Sequence, residues 1–270
     1  MADSAAAPNG GRMKEHIYTI PVTEAFEQEC ECPLCFCQRK LEGDALDYEL
    51  GAAMMEPDYR IGTNQSGFCT RHYEKLYNMQ KNRLPYGLIL DTHMEEQNRL
   101  IAEAYRAVGD RLAKESMDGL LDAMKDKLAG RKRTADLLTA ELVGILTRLL
   151  NGCAVCTRVA HTMNQFADTV IYLFFREPDF RLKLEAGKGF CLPHFKLLLE
   201  LRDETLSVQK KAMWLRSLLP LQIENLGRVQ TEVHWFTQMF DHRNRDADWK
   251  NSRDALARAI QKLGGPMDVD

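Results

Sequence analysis

A three-part motif occurs twice in this chain, and this repeat constrains the fold more than any other feature of the sequence. The parts are a C-x2-C pair, an E-P-D-[YF]-R segment and a G-F-C-x2-H segment, always in that order. The offset between the copies is 121 residues for the first two parts (32 to 153, 56 to 177) and 122 for the third (69 to 191). Three motifs that recur in order at a nearly constant offset indicate a duplicated unit.

Each copy supplies three cysteines and one histidine with the spacing of metal ligands. Two ligands three residues apart lie on one side of a tight turn or first helical turn, and two such pairs complete a tetrahedron around one cation. Helix N-termini also favour thiolate over thiol. The predicted ligands are Cys32, Cys35, Cys69 and His72 in the first copy and Cys153, Cys156, Cys191 and His194 in the second.

Three thiolates and one neutral imidazole favour zinc, so we expect two zinc ions. An iron–sulfur cluster is the less expected alternative, because a single histidine among three cysteines is unusual for clusters. Without a metal, the pattern would represent buried structural cysteines beside a surface histidine. The spacing does not decide whether the ligands of one ion come from one copy or from both. We expect two sites, each closed within its own copy.

Two of the eight cysteines, Cys30 and Cys37, have no counterpart in the second copy, where Asn151 and Arg158 stand at the matching positions. With the C-x2-C pair between them they form C-x-C-x2-C-x-C, a pattern that can serve redox chemistry or metal transfer. On a helix, however, Cys37 would point about 200° away from Cys35. We favour buried packing for both and keep a redox role as the alternative.

The rest of the chain has helical patterns, and strand signals are nearly absent. Residues 17–22 alone are expected to be extended, because Pro21 interrupts them. We predict an all-α fold in which a duplicated helical unit, each copy with a C-x2-C…C-x2-H metal site, packs as a helical bundle. The predicted packing seams are Ile101/Tyr105/Val108/Leu112, Leu138/Leu142/Ile145/Leu149 and Leu226/Val229/Val233/Phe236/Phe240.

The repeat also sets the predicted domain boundaries. Residues 1–12 are mostly small and polar, and we expect a disordered tail or leader there. The first metal-binding repeat is expected to span residues 13–133 and the second residues 134–265. Residues 266–270 are expected to form a short tail.

Length and charge argue against several classes of function. A chain of 270 residues buries a core without disulfides, and no apolar run approaches the ~20 residues of a membrane span. With 36 Lys and Arg against 39 Asp and Glu, the net charge is −3, which argues against a broad nucleic-acid surface. No secretory signal is recognisable, so we expect a cytoplasmic protein with reduced thiols and neither nucleic-acid nor membrane partners.

The C-terminal segment is the second candidate site, because it is dense in polar residues. Its aromatic, acidic and basic side chains would suit a polar small molecule, although a surface turn joined by ion pairs is the simpler interpretation. The sequence lacks E-x-x-H, H-E-x-x-H, P-loop, G-x-G-x-x-G and G-x-S-x-G motifs. The candidate cluster consists of Asp241, His242, Arg243, Asp246 and Trp249.

Several segments resemble an uncharacterised bacterial family, a domain of unknown function from Firmicutes such as clostridia. They are residues 14–26, the C-P-L-C pair at 32–35, M-E-P-D at 55–58, G-F-C-x2-H at 67–72 and the D-H-R-N…W…R-D-A ending at 241–255. The resemblance covers nearly everything from Met13 to Gly264. It implies a bacterial cytoplasmic protein and brings no activity that can be carried over.

Three functions are compatible with these features. The first is a non-enzymatic zinc protein whose two sites staple a helical scaffold that binds a protein partner or a small ligand. The second is a thiol/zinc redox sensor or metal-transfer protein that uses Cys30 and Cys37. The third is a metalloenzyme with an opened zinc site or with acid–base groups from the C-terminal cluster. We favour the first, which is not an enzyme.

Overall fold

The computed structural model of the chain describes residues 10–117, 119, 124, 128–130, 132–200 and 206–267. Within these residues it has twelve delimited α-helices, two short 3-10 helices and no β-strand, which confirms the predicted all-α class. Of the two predicted tails, residues 1–9 and 268–270 lie outside the described residues. Residues 10–12 already belong to the first helix.

The helices begin and end where the repeated motifs predict. Pro57 and Pro178 occupy the first turns of their helices, where a proline loses no hydrogen bond and its fixed φ suits the helix. The 3-10 helices are Ala52–Met55 and His242–Asn244. In the N-terminal half the α-helices are α1 (Gly10–Phe26), α2 (Pro33–Glu49), α3 (Pro57–Ser66), α4 (Thr70–Asn78), α5 (Arg83–Arg106) and α6 (Gly109–Glu115). In the C-terminal half they are α7 (Thr134–Asn151), α8 (Ala154–Arg176), α9 (Pro178–Glu185), α10 (Leu192–Leu199), α11 (Val208–Gln238) and α12 (Ala255–Gly264).

Residues 17–22 are helical, so the expected extended segment is wrong. They lie inside α1, which contains Pro21. An interior proline removes one helical hydrogen bond and costs about 3 kcal/mol. Val22 and Ala25, which follow it, are fully buried, and each large apolar side chain buried contributes about 1.5–3 kcal/mol. The burial of these side chains against the rest of the unit therefore offsets the free-energy cost of a proline inside the helix.

The chain forms two compact units whose boundaries differ from those of the sequence repeats. The terminal unit combines Met1–Leu41 with Val159–Asp270, and the central unit is Glu42–Arg158. The two boundaries fall within α2 and α8. Each unit consequently contains the C-x2-C pair of one copy and the C-x2-H pair of the other.

The terminal unit has a dense aromatic core. The rings of Phe174 and Trp214 meet edge-to-face with centroids 5.0 Å apart, and those of Phe26 and Phe180 are 4.7 Å apart. The indole N–H of Trp214 donates to the carbonyl of Leu198 at 3.4 Å. Such pairs add about 0.5–1.5 kcal/mol each to the burial of the rings themselves. This core includes helix α10, which carries His194.

The central unit has a smaller core. Leu50, Leu76 and Ile89 are among its buried side chains, but over the described residues the terminal unit buries more than twice as many apolar side chains. Helix α7 contains no buried residue. Its predicted seam of Leu138, Leu142, Ile145 and Leu149 is helical and half-buried.

The predicted seam from Ile101 to Leu112 is not one continuous helix face. Helix α5 ends at Arg106, and Val108 is the N-cap of α6. Tyr105 is 60 % exposed and Ile101 is 41 % exposed. The spacing of these residues correctly indicated helical structure. The turn between α5 and α6, however, separates them onto two helices, so they do not form one continuous apolar face.

A search of the described residues for membrane-spanning segments finds no single helix with sufficient length and hydrophobicity. The α7–α8 pair meets those requirements only when both helices are taken together, and it is bent by 58° at the break between them.

Candidate metal centres

The C-x2-C pairs lie where a helix begins. Cys32 immediately precedes α2, and its carbonyl accepts a hydrogen bond from the N–H of Cys35 at 3.0 Å. Cys153 likewise precedes α8, and the N–H of Cys156 donates to its sulfur at 3.4 Å. A helix start presents both sulfurs on the same side and supplies backbone N–H groups that stabilise thiolate.

The C-x2-H pairs use the same local structure after a glycine turn. Cys69 and Cys191 are the N-caps of α4 and α10, so the histidine three residues later lies in the first helical turn. Gly67 has φ +57°, a left-handed conformation that favours glycine. A Cβ there would also come within 2.7 Å of Nε2 of His93.

The structure gathers the eight predicted ligands into two groups, and each group combines both copies of the motif. In each group the four ligand atoms lie within 4.8 Å of one another, so each can hold a metal ion. Centre I consists of Cys32, Cys35, Cys191 and His194, all in the terminal unit; centre II consists of Cys69, His72, Cys153 and Cys156, all in the central unit.

Our expectation that each site closes within one copy is therefore wrong. The C-x2-C pair of the first copy meets the C-x2-H pair of the second in centre I, and the reverse occurs in centre II. The two copies offer chemically identical pairs, so spacing along the chain cannot select the partner. Helix packing within each compact unit makes that selection.

The geometry of centre I is close to that of a tetrahedral site. The sulfur of Cys191 lies 3.8 Å from that of Cys32 and 3.5 Å from that of Cys35. Nδ1 of His194 lies 3.1 Å from the Cys191 sulfur and 3.5 Å from each of the others. A zinc tetrahedron with bonds of about 2.3 Å to sulfur and about 2.0 Å to nitrogen has edges of roughly 3.5–3.8 Å. The observed distances fit such an ion.

Centre II has a similar arrangement around His72. Its Nδ1 lies 3.2 Å from the sulfurs of Cys69 and Cys153 and 3.4 Å from that of Cys156. The sulfurs of Cys69 and Cys156 are 3.9 Å apart. In both centres Nδ1 of the histidine faces the three sulfurs.

A carboxylate that the sequence analysis missed orients the histidine of centre II. Nε2 of His72 lies 2.8 Å from an oxygen of Glu42, which also accepts hydrogen bonds from Lys75 at 2.6 Å and Arg71 at 3.1 Å. Burial raises the pKa of Glu42, but the hydrogen bonds with His72 and Lys75 outweigh it and hold the pKa at about 2. A permanently ionised carboxylate fixes the ring with Nδ1 toward the sulfurs, as in many metal sites.

A buried lysine near centre I is the second residue that the sequence analysis missed. Lys262 is 1 % exposed, and its ammonium donates to the carbonyls of Glu31, at 2.6 Å, and Lys188. These two carbonyls lie just before the two ligand pairs in the chain. A divalent ion with three thiolates leaves a net negative charge, which a nearby ammonium offsets. Neither Glu42 nor Lys262 belongs to a sequence motif, and only the fold brings them close to the ligands.

The protonation of the ligands suits cation binding. Hydrogen bonds from Cys32 and Cys35 lower the pKa of the Cys191 thiol to about 4. Burial raises the pKa of Cys153, but its hydrogen bond with His72 outweighs it and lowers the pKa to about 6. Both shifts favour a thiolate in each centre, and the remaining thiol protons leave when a metal binds.

The two centres differ in burial. All four side chains of centre I are buried. In centre II, Cys153 and His72 are buried, Cys69 is half-buried and Cys156 is exposed. Solvent, oxidants and chelators reach centre II more easily.

Cys30 and Cys37 lie outside both groups. Cys37 is 3 % exposed and its thiol donates a weak hydrogen bond to the carbonyl of Pro21 at 3.9 Å. Burial, reinforced by the charge of Cys32, raises its pKa to about 12. Cys30 is half-buried, and burial raises its pKa as well. These environments disfavour thiolate, and a redox role for the two residues stays a prediction.

The C-terminal cluster is a surface turn with local contacts. The carboxylate of Asp241 pairs with Arg243 at 2.6 Å and lies 3.3 Å from His242, whose side chain is 91 % exposed. Trp249 packs instead against the rings of Phe236 and Phe240, at 5.8 and 6.2 Å. The structure shows no contact between Asp246 and these residues, so it does not bring the five together.

Comparison with known proteins identifies one family and nothing closer. Comparison with curated proteins and with solved structures gave no match to this chain. A family of unknown function, DUF6062, matches residues 13–270. That range contains every ligand of both centres, and the chain belongs to the DUF6062 family.

Proposed function

We propose that the protein binds two zinc ions, one in each centre, and that the ions act as structural staples of a helical scaffold. The observation that supports this most directly is the assembly of four soft ligands, with near-tetrahedral spacing, twice in one chain. Each ion would connect segments far apart in sequence, Cys35 with Cys191 in centre I and Cys69 with Cys153 in centre II. Structural zinc of this kind contributes directly to the free energy of folding.

The ligand set favours a structural ion over a catalytic one. Three thiolates and an imidazole fill the four positions that zinc prefers, whereas catalytic zinc keeps one position for water or substrate. The same set argues against an iron–sulfur cluster, which usually has four cysteines. A metalloenzyme would need a ligand to leave, and Cys156 is the most accessible candidate.

We propose a bacterial cytoplasmic protein that binds a protein partner or a small molecule. All eight cysteines are thiols rather than disulfides, as is usual in a reducing compartment. The net charge of −3 disfavours nucleic acid as the partner. The likeness to clostridial proteins supports the bacterial origin.

Metal analysis of paired cysteine variants tests the proposal. We expect about two zinc ions per chain in the purified protein. The variant C32S/C191S should lose one ion, because both cysteines belong to centre I. The variant C32S/C69S should lose both ions, although its cysteines come from one sequence copy. The control C37S should keep two. One ion lost in C32S/C69S and two in C32S/C191S would refute the cross-copy centres, and an iron-containing or metal-free protein would refute zinc.

The exposure of Cys156 supports a second candidate function, release of zinc on oxidation. A zinc-bound thiolate at the surface reacts with peroxide, and the loss of one ligand frees the ion. We expect mild peroxide to release one zinc per chain, measured with a chromogenic chelator, with the C69S variant releasing none because its centre II is already empty. Equal release from both centres, or none, would contradict this function.

A further inference from the structure

We propose that a charged cavity in the terminal unit binds a small anion that carries carboxylate or phosphate groups. The cavity has a volume of about 450 Å³ and is lined almost entirely by ionisable side chains. Pockets for small ligands are commonly of this size. This site is separate from the metal centres, and the proposal goes beyond the function proposed above.

The acidic side chains of the cavity are already neutralised. The carboxylate of Glu31 is 5 % exposed, accepts a hydrogen bond from Arg228 at 2.6 Å and forms an ion pair with Lys262 at 3.2 Å. Glu232 pairs with Arg228 at 3.2 Å and with Arg258. The three cations thus face three carboxylates, because Asp254 also pairs with Arg258, at 2.8 Å. These carboxylates are therefore not available to bind a cation.

Three further cations line the cavity beside these ion pairs, and none of them has a close, buried carboxylate partner in the part of the chain that the structure describes. Lys188 pairs at 3.3 Å with Glu29, whose side chain is 90 % exposed. Among the described residues no carboxylate pairs with Lys250 or Arg253. Instead, these two cations lie against aromatic rings. The ammonium of Lys250 is 4.6 Å from the ring centre of Trp235, and the guanidinium of Arg253 is 5.8 Å from that of Trp249. A cation held over a ring keeps its N–H donors for another partner.

One buried donor also lacks an acceptor. Nε of Arg258 is buried and has no hydrogen-bond partner among the described residues, although the other nitrogens of this guanidinium bind Glu232, Asp254 and the carbonyl of Asn251. Buried donors are ordinarily satisfied, so the guanidinium of Arg258, a lining residue of the cavity, still has one donor without an acceptor.

The sum of charges determines the class of ligand. Five cations and four acids line the cavity. The cavity therefore carries net positive charge in a chain whose overall charge is −3. Arginine and lysine with free donors are the groups that bind carboxylate and phosphate in proteins. A cationic ligand would find no unpaired buried carboxylate there to bind.

Isothermal titration with inorganic phosphate and with succinate, at constant ionic strength, tests the site and distinguishes the two anion chemistries. We expect saturable binding of at least one of them at one site per chain. The double variant K250Q/R253Q should weaken binding about tenfold or more, because it removes two charge-assisted hydrogen-bond donors. Both side chains are exposed, so the variant should keep the thermal stability of the parent protein.

The control variant K183Q/K196Q removes two exposed cations of the same unit outside the cavity, and it should bind as the parent does. The proposal is overturned if neither anion binds, if the K250Q/R253Q variant binds as tightly as the control, or if the diamine putrescine binds better than both anions. Zinc content is measured on the same samples. Full zinc without anion binding refutes this site alone, and anion binding without zinc refutes only the proposed function.

Discussion

Centres I and II have the same ligands but stand in different surroundings. Centre I is buried in the unit with the larger core, whereas centre II exposes Cys156 in the unit with the smaller core. A unit that buries little apolar surface depends more on a metal for its stability. An ion in centre II would therefore matter more to the stability of its unit, and solvent would reach it more easily.

The two C-x2-C helices also differ along their length. Glu42 in α2 corresponds to Met163 in α8 (offset 121), and Glu49 corresponds to Val170. Tyr59, which donates its hydroxyl hydrogen bond to Glu49, corresponds to Phe180, which has no hydroxyl. The first copy thus places buried carboxylates where the second places apolar side chains. The same ligand pattern therefore occurs with polar buried side chains along one helix and with apolar ones along the other.

The largest expected effect comes from removing one ligand in each centre. C69S should lose the zinc of centre II and leave the central unit unfolded, because metal binding contributes about 10 kcal/mol and the core of this unit is small. C191S should lose the zinc of centre I but keep a folded, weaker terminal unit. Hydrogen exchange measured by mass spectrometry on each unit, with C37S as the control, checks both results. If the terminal unit alone unfolded in either variant, the central unit would not be the one that depends more on its metal.

The second effect concerns Glu49, which is fully buried and has one carboxylate oxygen without a hydrogen-bond partner among the described residues. Burial raises its pKa from 4.5 to about 7. The unfolded chain therefore releases this proton at a lower pH than the folded one, and stability falls as pH rises from 4.5 to 7. E49Q should remove this loss. The difference in the free energy of unfolding between E49Q and the parent should therefore shift in favour of E49Q by about 2 kcal/mol between pH 5 and pH 8.

Denaturant unfolding at the two pH values measures this advantage. D47N on the same helix is the matched control, because the side chain of Asp47 is 62 % exposed, and it should show no such trend. Y59F should instead lower the free energy of unfolding by about 1–3 kcal/mol, since it removes the hydroxyl that donates to the buried carboxylate. An advantage of E49Q that is constant with pH would contradict a neutral buried carboxyl.

The third effect concerns Glu42, the partner of His72, and is confined to one centre. E42Q should weaken zinc binding at centre II by about 10- to 100-fold and leave centre I unchanged, because the amide orients the ring less firmly and carries no charge. Competition with a chelator of known affinity measures it. M163L, at the matching position of the second copy, is the control and should leave both affinities as they are. A loss at centre I in E42Q would contradict the assignment.

Much of the fold was predictable because its signals are local. Pro57 and Pro178 mark helix starts, and the glycines before Cys69 and Cys191 mark the turns that precede the ligand helices. The errors occurred where distant packing decides. Pro21 lies within a helix because its neighbours are buried. The seam through Tyr105 breaks at a turn that its spacing does not reveal.

The same division holds for the candidate sites. The eight ligands were predictable because C-x2-C and C-x2-H spacing reflects the geometry of a helix start. Glu42 and Lys262 were not predictable, since they belong to no motif and act across 30 or more residues of chain. The cavity was not predicted. None of the five residues of the C-terminal cluster lines it, and its lining combines residues from four distant parts of the chain, around 29–31, 188, 228–232 and 250–258.

The sequence by itself determined the all-helical class, the identity of the eight metal ligands and their division into pairs of fixed spacing. Those properties depend on interactions within one or two helical turns, which neighbouring residues control. The tertiary structure alone decided which pairs meet, because both copies carry interchangeable pairs and only the packing of apolar helix faces distinguishes them. It also decided that one centre is fully buried and the other only partly, since burial depends on how much apolar surface each unit assembles around its ligands.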